Sequence, residues 1–383
     1  METTPFSQET APPPPPLPPV PPPVITPPPP SKPRKSRGWM VVAIILFVLL
    51  GFSWLVIIGQ GISHALNLNS INNLSARQAG PRLDEVTLED NDSHNKIAVV
   101  TVSGIITSQT ADQQGNTMVD VIKAQLDRAK DDDHVKAVIL KVNSPGGEVM
   151  ASDQINRLIS KFQEDSSKPV VCSMGSLAAS GGYYISAPCR WIVANDLTIT
   201  GSIGVIMEGL NYRGLMDKIG VSPMVYKSGK YKDMLSGMRE TNEIPAGEHA
   251  LVQGLIDETY QKFKGVVADG RGLAHEKNGK EGRALADDWT NYADGRVVSG
   301  TEALKLGFVD ELGDFDDAVS RTEKIAGVSN ADLIEYRERY DIGDFLSMFG
   351  QSSKSHDIKL DLGVDIPKLQ AGALYFLWQA PGD

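Results

Sequence analysis

The residues best suited to chemistry surround Ser180, in the sequence AASGGYY of residues 178–184. Two glycines follow its hydroxyl directly, so the backbone can turn tightly and a substrate carbonyl can approach the main chain closely. A serine on such a turn, where a helix begins, can act as a nucleophile while free N–H groups stabilise a developing oxyanion. The same run would also suit a close-packed junction between a strand and a helix, so the rest of the chain must decide.

A second glycine-rich turn, the sequence NSPGG of residues 143–147, stands between a predicted strand and a predicted helix. Proline fixes the entry to this turn, and the glycine pair frees backbone N–H groups that could face an anion. A phosphate loop would normally have GxGxxG spacing or end in Lys-Ser/Thr, and neither pattern is present. Half of an oxyanion hole is therefore preferred to a phosphate site or a structural turn, although the turn taken alone excludes neither.

Ser180 needs a base, and histidine is a poor candidate. The chain has six histidines, and none lies at the end of a predicted strand beside a carboxylate that could orient it. The sequence contains neither HExxH nor a His/Cys cluster with metal-ligand spacing, so no metal or other cofactor is expected. A lysine in apolar surroundings can act instead. Lys227, Lys230 and Lys232 follow a predicted strand, and composition does not choose among them.

Strands and helices alternate from about residue 96. The apolar periodicity predicts strands over 97–102, 135–142, 169–174, 191–194 and 224–226. It predicts helices over 117–130, 151–162, 212–219 and 246–270, with a further short helix after Ser180. This alternation indicates an α/β architecture with a mainly parallel sheet.

One long apolar run predicts a membrane anchor. Met40–Gly59 holds twenty residues without a charge, enough at about 1.5 Å per residue to cross a hydrocarbon core of about 30 Å. Four basic residues precede it between positions 32 and 37, and the next is Arg77, which predicts a cytoplasmic N-terminus and an extracytoplasmic remainder. A cleaved signal peptide with a site at Ser63-His64-Ala65 is the alternative, but the run is long for that role and follows a long leader.

Composition limits the partners and the redox chemistry. The net charge is −11 over 383 residues and no basic stripe lies on a predicted helix, which argues against a nucleic-acid partner. Cys172 and Cys189 stand in apolar surroundings and are expected to be buried thiols rather than a disulfide. The fifteen prolines of residues 12–33 predict an extended, polyproline-like tail without a packed core.

Four motifs occur in a fixed order, namely NSPGG, AASGGYYIS, TGSIGV and KSGKYKD. Together with the late segment that runs from GRVVSG to LGFVDELG, they resemble the signal peptide peptidase A family, peptidase family S49. The resemblance covers roughly residues 96–330. It implies an α/β fold with Clp protease/crotonase-like repeated ββα layers, preceded by one N-terminal transmembrane helix.

The resemblance also implies roles for single residues. Ser180 matches the nucleophile of the family, and Lys232, in the pattern SGxxKD, matches its general base. Ser202 matches the serine that hydrogen-bonds and orients that lysine, and Gly147 matches an oxyanion donor. We add the N–H of Gly181 as an expected second donor.

These observations divide the chain into five expected parts. A proline-rich cytoplasmic tail covers 1–38, a transmembrane anchor 39–60 and a stalk 61–95. A Ser/Lys peptidase domain covers 96–330, and a C-terminal extension covers 331–383.

The family resemblance implies a membrane-anchored serine endopeptidase of the inner membrane that degrades cleaved signal peptides and other short or unfolded peptides. It implies a ring-like homo-oligomer with no cofactor and no nucleic-acid partner. A crotonase-like acyl-CoA enzyme is a weaker alternative, because it would use a carboxylate base and would rarely carry an anchor. An inactive membrane scaffold that recruits partners through its prolines is another, and the complete Ser/Lys set argues against it.

Overall fold

The computed structural model describes residues 42–54, 80–110, 115–279, 281–339 and 374–377. The chain divides into two compact units, residues 1–77 and 78–383. In the first unit, residues 42–54 are helical. Within the described residues, no helix combines the length and apolarity needed to cross a bilayer. The proline-rich tail and the rest of the predicted anchor lie outside the described residues.

The second unit is built on strands whose bounds run as follows: β1 Leu83–Glu89, β2 Lys96–Ser103, β3 Val135–Ser144, β4 Gly146–Glu148, β5 Val170–Ala179, β6 Trp191–Ala194, β7 Ile199–Gly201, β8 Val297–Ser299, β9 Glu311–Leu312, β10 Asp332–Glu338 and β11 Tyr375–Leu377. Its helices are α1 Met118–Asp131, α2 Val149–Ser166, α3 Gly181–Ser186, α4 Arg213–Lys218, α5 Ala246–Lys277, α6 Gly300–Leu306 and α7 Phe315–Ala326.

Nine of the described strands form one sheet in the order β1-β10-β2-β3-β5-β6-β9, with β7 beside β5 and β8 beside β7. The ladders from β10 to β9 are parallel, whereas β1 pairs antiparallel with β10 and β8 pairs antiparallel with β7. This confirms the expected α/β class with a mainly parallel sheet. Strands β4 and β11 form a separate two-stranded antiparallel ladder.

Helices cover both faces of the sheet, and its central strands accordingly contain consecutive buried apolar residues, such as 137–140 in β3. The larger core joins one face of β2, β3 and β5 to α1, α2 and α3. On the other face, α7 packs against residues such as Ile97 and Ile139. Parallel sheets buried in this way need near-continuous apolar strands rather than alternating ones. Cys172 and Cys189 lie inside this core as free thiols, as expected.

The sheet extends beyond the expected peptidase domain at both ends of the sequence. Strand β1 lies within the segment expected to be a stalk, and β10 lies within the expected C-terminal extension. The polar composition of this segment suggested a stalk. It is polar because β1 is an edge strand and most of its residues face solvent. Residues 224–226, expected to be a strand, have no regular secondary structure. Met224 and Tyr226 there are 78% and 89% exposed, so they have no packed sheet neighbour to pair with.

Candidate active site

Parallel pairing brings three of the sequence motifs to one edge of the sheet. Ser144, at the end of β3, lies opposite Ala178 of β5. One residue further on, Ala179 lies opposite Gly201 of β7. Because the carboxyl ends of parallel strands meet at the same edge, the segments that follow these strands converge there.

Ser180 forms a strained turn between β5 and α3. Its φ is +53° and its ψ is −116°, a backbone conformation that non-glycine residues rarely adopt. The turn is held because the Ser180 N–H donates to the Gly201 carbonyl at 2.8 Å, while the Ser180 carbonyl accepts from Tyr184 N–H at 2.8 Å. Such strain costs about 1–3 kcal/mol and is typical of functional residues. The same strand–turn–helix geometry presents the nucleophile in α/β-hydrolases.

Ser202 occupies the corresponding place on the neighbouring strand. It follows β7 directly, its φ is +50°, and its N–H donates to the Arg296 carbonyl at 2.8 Å. Both serines are nearly buried, with exposed fractions of 1% for Ser180 and 6% for Ser202. Two serines with positive φ therefore directly follow the adjacent strands β5 and β7.

Hydrogen bonds hold the NSPGG turn on both sides. Gly146 N–H donates to Ser144 Oγ at 3.0 Å, inside the turn. Ile106 N–H donates to the Gly146 carbonyl, and Glu148 N–H donates to the Ile106 carbonyl, each at 2.8 Å. A methyl group at Gly147 would lie 1.9 Å from the Ile106 carbonyl oxygen, so only glycine allows this close approach.

The two expected oxyanion donors lie next to each other. A methyl group built on Gly181 would be 3.1 Å from the Gly147 nitrogen, 3.0 Å from Gly146 Cα and 2.7 Å from Ser152 Oγ. The backbone of the NSPGG turn is therefore in direct contact with the residue that follows Ser180. The structure brings Ser180, Ser202, Gly147 and Gly181 to one edge of the sheet, and their catalytic roles stay predictions.

Lys232 differs from the two serines in its burial and its contacts. It lies in a turn and is exposed, and within the described residues it makes no hydrogen bond to either serine. The two neighbouring lysines contact other groups of the same segment. Lys227 Nζ contacts both carboxylate oxygens of Asp233 at 2.8 and 2.7 Å, and Lys230 Nζ lies 5.1 Å from the Tyr231 ring centroid. Within the described residues the geometry does not single out Lys232 among the three, and its role as the base stays a prediction.

A buried ion pair fixes the turn that carries Lys232. Arg239 donates to both carboxylate oxygens of Glu248, at 2.5 and 2.6 Å, and Leu235 N–H donates to Glu248 at 2.9 Å. Glu248 lies in the first turn of α5, so this carboxylate connects the turn to a long helix. The hydrogen bond from Arg239 holds the pKa of Glu248 below its ordinary value of 4.5, outweighing the effect of burial.

Replacing Glu248 by glutamine is expected to lower stability by about 1–3 kcal/mol, because Arg239 loses its charged acceptor. It should also lower peptidase activity by roughly tenfold, because Lys232 loses its fixed support. A carboxylate whose pKa is lower in the folded than in the unfolded protein stabilises the fold at pH values above its unfolded pKa. That stabilisation is lost as the pH falls through its folded pKa. The melting temperatures of the two proteins, measured from pH 7 to pH 3, should therefore differ by an amount that shrinks below about pH 4.5. A pH-independent difference would contradict this role.

Sequence reasoning assigned no role to an aromatic group beneath the Ser180 turn. The Tyr184 ring lies 4.9 Å from the ring of Phe263, and its hydroxyl donates to Asp153 at 2.8 Å. Burial, and then the hydrogen bond to Asp153, raise the pKa of Tyr184 well above its usual range. The two tyrosines after SGG were visible in the sequence, but their packing partner is 79 positions away, on α5.

The chain resembles known peptidases over this region. Residues 162–329 match Peptidase family S49. An Enterococcus faecium protein provisionally named signal peptide peptidase SppA is 34% identical over 313 residues, which cover 79% of this chain and 85% of the relative. A protein of Methanocaldococcus jannaschii provisionally named a protease is 42% identical over 212 residues, covering 55% of this chain and 63% of the relative.

A solved structure described as a membrane-bound stomatin-specific protease in complex with a substrate peptide aligns with a TM-score of 0.35 and 18% identity, over 67% of this chain and 97% of that chain. The family assignment rests on the sequence matches, which confirm the resemblance predicted from the motifs. The matched region contains Ser180, and one relative aligns over most of its own length. The chain therefore belongs to peptidase family S49 and is a serine-type peptidase.

Proposed function

We propose that the chain is a membrane-anchored endopeptidase in which Ser180 and Lys232 form a catalytic dyad. The observation that carries this proposal is the strained turn of Ser180, set against the Gly147 and Gly181 backbone. A buried hydroxyl beside two candidate N–H donors suits acyl transfer, because the negative charge that develops on the substrate oxygen is stabilised in place.

The proposed reaction begins with neutral Lys232 taking the Ser180 proton as Oγ attacks a peptide carbonyl. The Gly147 and Gly181 N–H groups hold the tetrahedral oxyanion, and the leaving amine takes the proton from Lys232. Water then hydrolyses the ester on Ser180, with Lys232 again acting as base. Ser202 orients Lys232 in this reaction. It is placed to do so because it directly follows β7, the strand that pairs with β5 beside Ser180. General-base catalysis of this kind contributes typically 10²–10⁴-fold.

Lys232 can be neutral only in apolar surroundings, and in the single chain it is exposed. The segment that carries it also exposes large apolar residues, including Leu210 at 86%, Met224 at 78% and Tyr226 at 89%. Exposed apolar groups concentrated in one segment are typical of a protein–protein contact. We infer that a ring-like homo-oligomer covers this segment, and that Lys232 acts on Ser180 of a neighbouring copy.

The proposed substrates are cleaved signal peptides and other short or unfolded peptides. The twenty-residue apolar run of Met40–Gly59 supports a single-pass anchor that would hold the site near the bilayer, with the N-terminus in the cytoplasm and the catalytic domain outside it. An oligomeric ring would exclude folded proteins, whereas an extended peptide could add a strand beside the glycine turn.

A digest of synthetic signal peptides tests this function directly. Full-length protein in detergent is expected to cut the apolar regions of these peptides, with products mapped by mass spectrometry. The Ser180→Ala variant serves as the matched control and should leave the peptides intact. Release of products by that variant, or a failure of the unaltered protein to cut any peptide, would contradict the proposal.

A further inference from the structure

Helix α5 is packed against the domain along one half and is largely exposed along the other. Its C-terminal half carries one buried stripe with helical spacing, formed by Phe263, Val267, Arg271 and Ala274. We call residues 263–274 the root of α5. Residues 249–262 are all exposed or half-buried, and the next buried residue is Glu248. We call residues 248–262 the arm, and its far end holds the Lys232 turn through the hydrogen bonds of Glu248.

A buried ion pair fixes the root. Arg271 is fully buried, and its guanidinium donates to the Asp310 carboxylate and, at 3.1 Å, to the Cys189 carbonyl. The same carboxylate accepts the N–H of Ile192 at 2.9 Å and the N–H of Arg283 at 3.0 Å. Asp310 therefore connects the root of α5 to strand β6 and to the loop that follows α5.

This ion pair is better suited to positioning than to stabilising the fold. The desolvation of two buried charges offsets most of their attraction, so such pairs contribute little net stability. Apolar contacts such as those of Phe263 and Val267 are non-directional and would let a helix slide or turn with little loss. Arg271 donates in two directions, and hydrogen bonds are directional, so this residue sets both the rotation and the axial position of the root.

The root also crosses the end of the short helix that begins after Ser180. A methyl group built on Gly270 would lie 2.5 Å from the Ala187 carbonyl oxygen, so the backbones of α5 and of the end of α3 are in contact. Helix α3 has other support, because all its residues are buried and the Tyr183 hydroxyl donates to the Phe308 carbonyl at 3.0 Å. A shift of the root should therefore displace the exposed arm rather than the Ser180 turn.

The length of the arm amplifies such a shift. At about 1.5 Å per residue, Arg271 lies roughly 12 Å from Phe263 on one side, and Glu248 lies roughly 22 Å from it on the other. If the helix tilts about Phe263, a shift of about 1 Å at Arg271 moves Glu248 and the Lys232 turn by about 2 Å. A misplacement of about 1 Å in a catalytic group can lower a rate on the order of 10²-fold.

We propose that Arg271 and Asp310 are positioning residues for the base: through α5 they set the place of Lys232, and so the activity of Ser180 in the neighbouring copy. The inference rests on the proposed function, in which Lys232 acts across a contact between copies. Neither residue takes part in the chemistry. The ion pair should therefore affect turnover rather than substrate binding, and it should act from the subunit that supplies the lysine.

Steady-state kinetics separate positioning from binding. Full-length protein in detergent with Arg271→Met and Asp310→Asn, which removes both charges together, should have a kcat lower by about 10–100-fold for a fluorogenic peptide, with KM changed by no more than about threefold. Arg271→Lys keeps the charge with a less extended donor group and should retain more of the kcat. The exposed ion pair of Lys324 with Glu281, at 3.6 Å, is the matched control, and Lys324→Met with Glu281→Gln should leave kcat within about twofold. An unchanged kcat, or a loss confined to KM, would overturn the proposal.

Mixed assemblies show from which subunit the ion pair acts. When Ser180→Ala and Lys232→Ala subunits are co-expressed and purified through two tags, each intact contact takes its lysine from the first kind of subunit and its serine from the second. Adding Arg271→Met and Asp310→Asn to the Ser180→Ala subunit should lower the activity of the mixture by at least roughly tenfold. Adding the same substitutions to the Lys232→Ala subunit should change it by no more than about twofold.

Both altered mixtures carry the same substitutions, so a general loss of stability would lower both activities equally, and their melting temperatures should agree. Equal losses in the two mixtures, or a larger loss in the second, would overturn the positioning role. A parent mixture that recovers no activity would instead remove the neighbouring copy as the source of the base, and the inference with it, so the two failures are distinct. If the double substitution prevents purification, Gly270→Ala takes its place, because its methyl group forces the root away from Ala187 without changing a charge.

Discussion

Replacing Ser180 by alanine is expected to lower kcat by at least roughly 10⁴-fold, while the protein remains folded. The variant loses the oxygen that forms the acyl-enzyme, and no other group of the proposed dyad can replace it. Only one buried oxygen atom is removed, but alanine tolerates the φ of +53° no better than serine does. A small decrease in melting temperature is therefore expected alongside the complete loss of turnover.

Ser176 provides the matched control for this experiment. It lies on the same strand, β5, but is exposed, and its hydroxyl donates to Asn143 Oδ1 at 3.3 Å. Ser176→Ala should retain activity within a factor of about two. A serine-reactive fluorophosphonate should label the unaltered protein and Ser176→Ala but not Ser180→Ala. Labelling of the Ser180 variant at another residue, with activity retained, would remove Ser180 as the nucleophile.

The sequence predicted the part of the site that depends on adjacent parallel strands. It predicted strands corresponding to β3 and β5 with glycine-rich turns after them, but not the short strand β7, whose pairing with β5 brings Ser202 beside Ser180. The positive φ of both serines could not be predicted, because it is held by backbone hydrogen bonds to Gly201 and Arg296. The sequence pattern around a serine carries no record of such tertiary contacts.

Other parts of the structure depend on contacts between distant positions. Strand β1 pairs with β10 across most of the domain, and its polar composition is typical of a linker as well as of an edge strand. Strand β11 pairs with β4, a strand far earlier in the sequence. Local periodicity does not encode such pairings, since the partner that satisfies each backbone group is remote in sequence.

The surroundings of Lys232 are a different case, because the described residues do not bury it. The resemblance to the pattern SGxxKD singled out this lysine, and its role stays a prediction. Lys232 is exposed within the described residues, and apolar residues are exposed on the same segment. The proposed homo-oligomer would cover both.

Replacing Lys232 by arginine is expected to lower kcat by about 10²–10⁴-fold without changing the fold. Arginine preserves the charge and length of the side chain but cannot give up its proton near neutral pH, so it cannot act as a base. Lys230→Arg is the matched control, because Lys230 stands two positions away in the same turn and lies against the Tyr231 ring. Activity of Lys232→Arg near that of the unaltered protein would remove Lys232 as the base.

Mixing two inactive variants tests where the base comes from. If Lys232 of one copy serves Ser180 of its neighbour, subunits carrying Ser180→Ala and subunits carrying Lys232→Ala form some contacts that contain both intact groups. Mixed assemblies, made by co-expression and purified through two different tags, should then recover about a quarter of the activity, since random assembly makes one contact in four intact. If both groups came from the same chain, no mixed assembly would contain an intact pair, and activity would stay at the level of the single variants. That second result would rule out the neighbouring copy as the source of the proton acceptor.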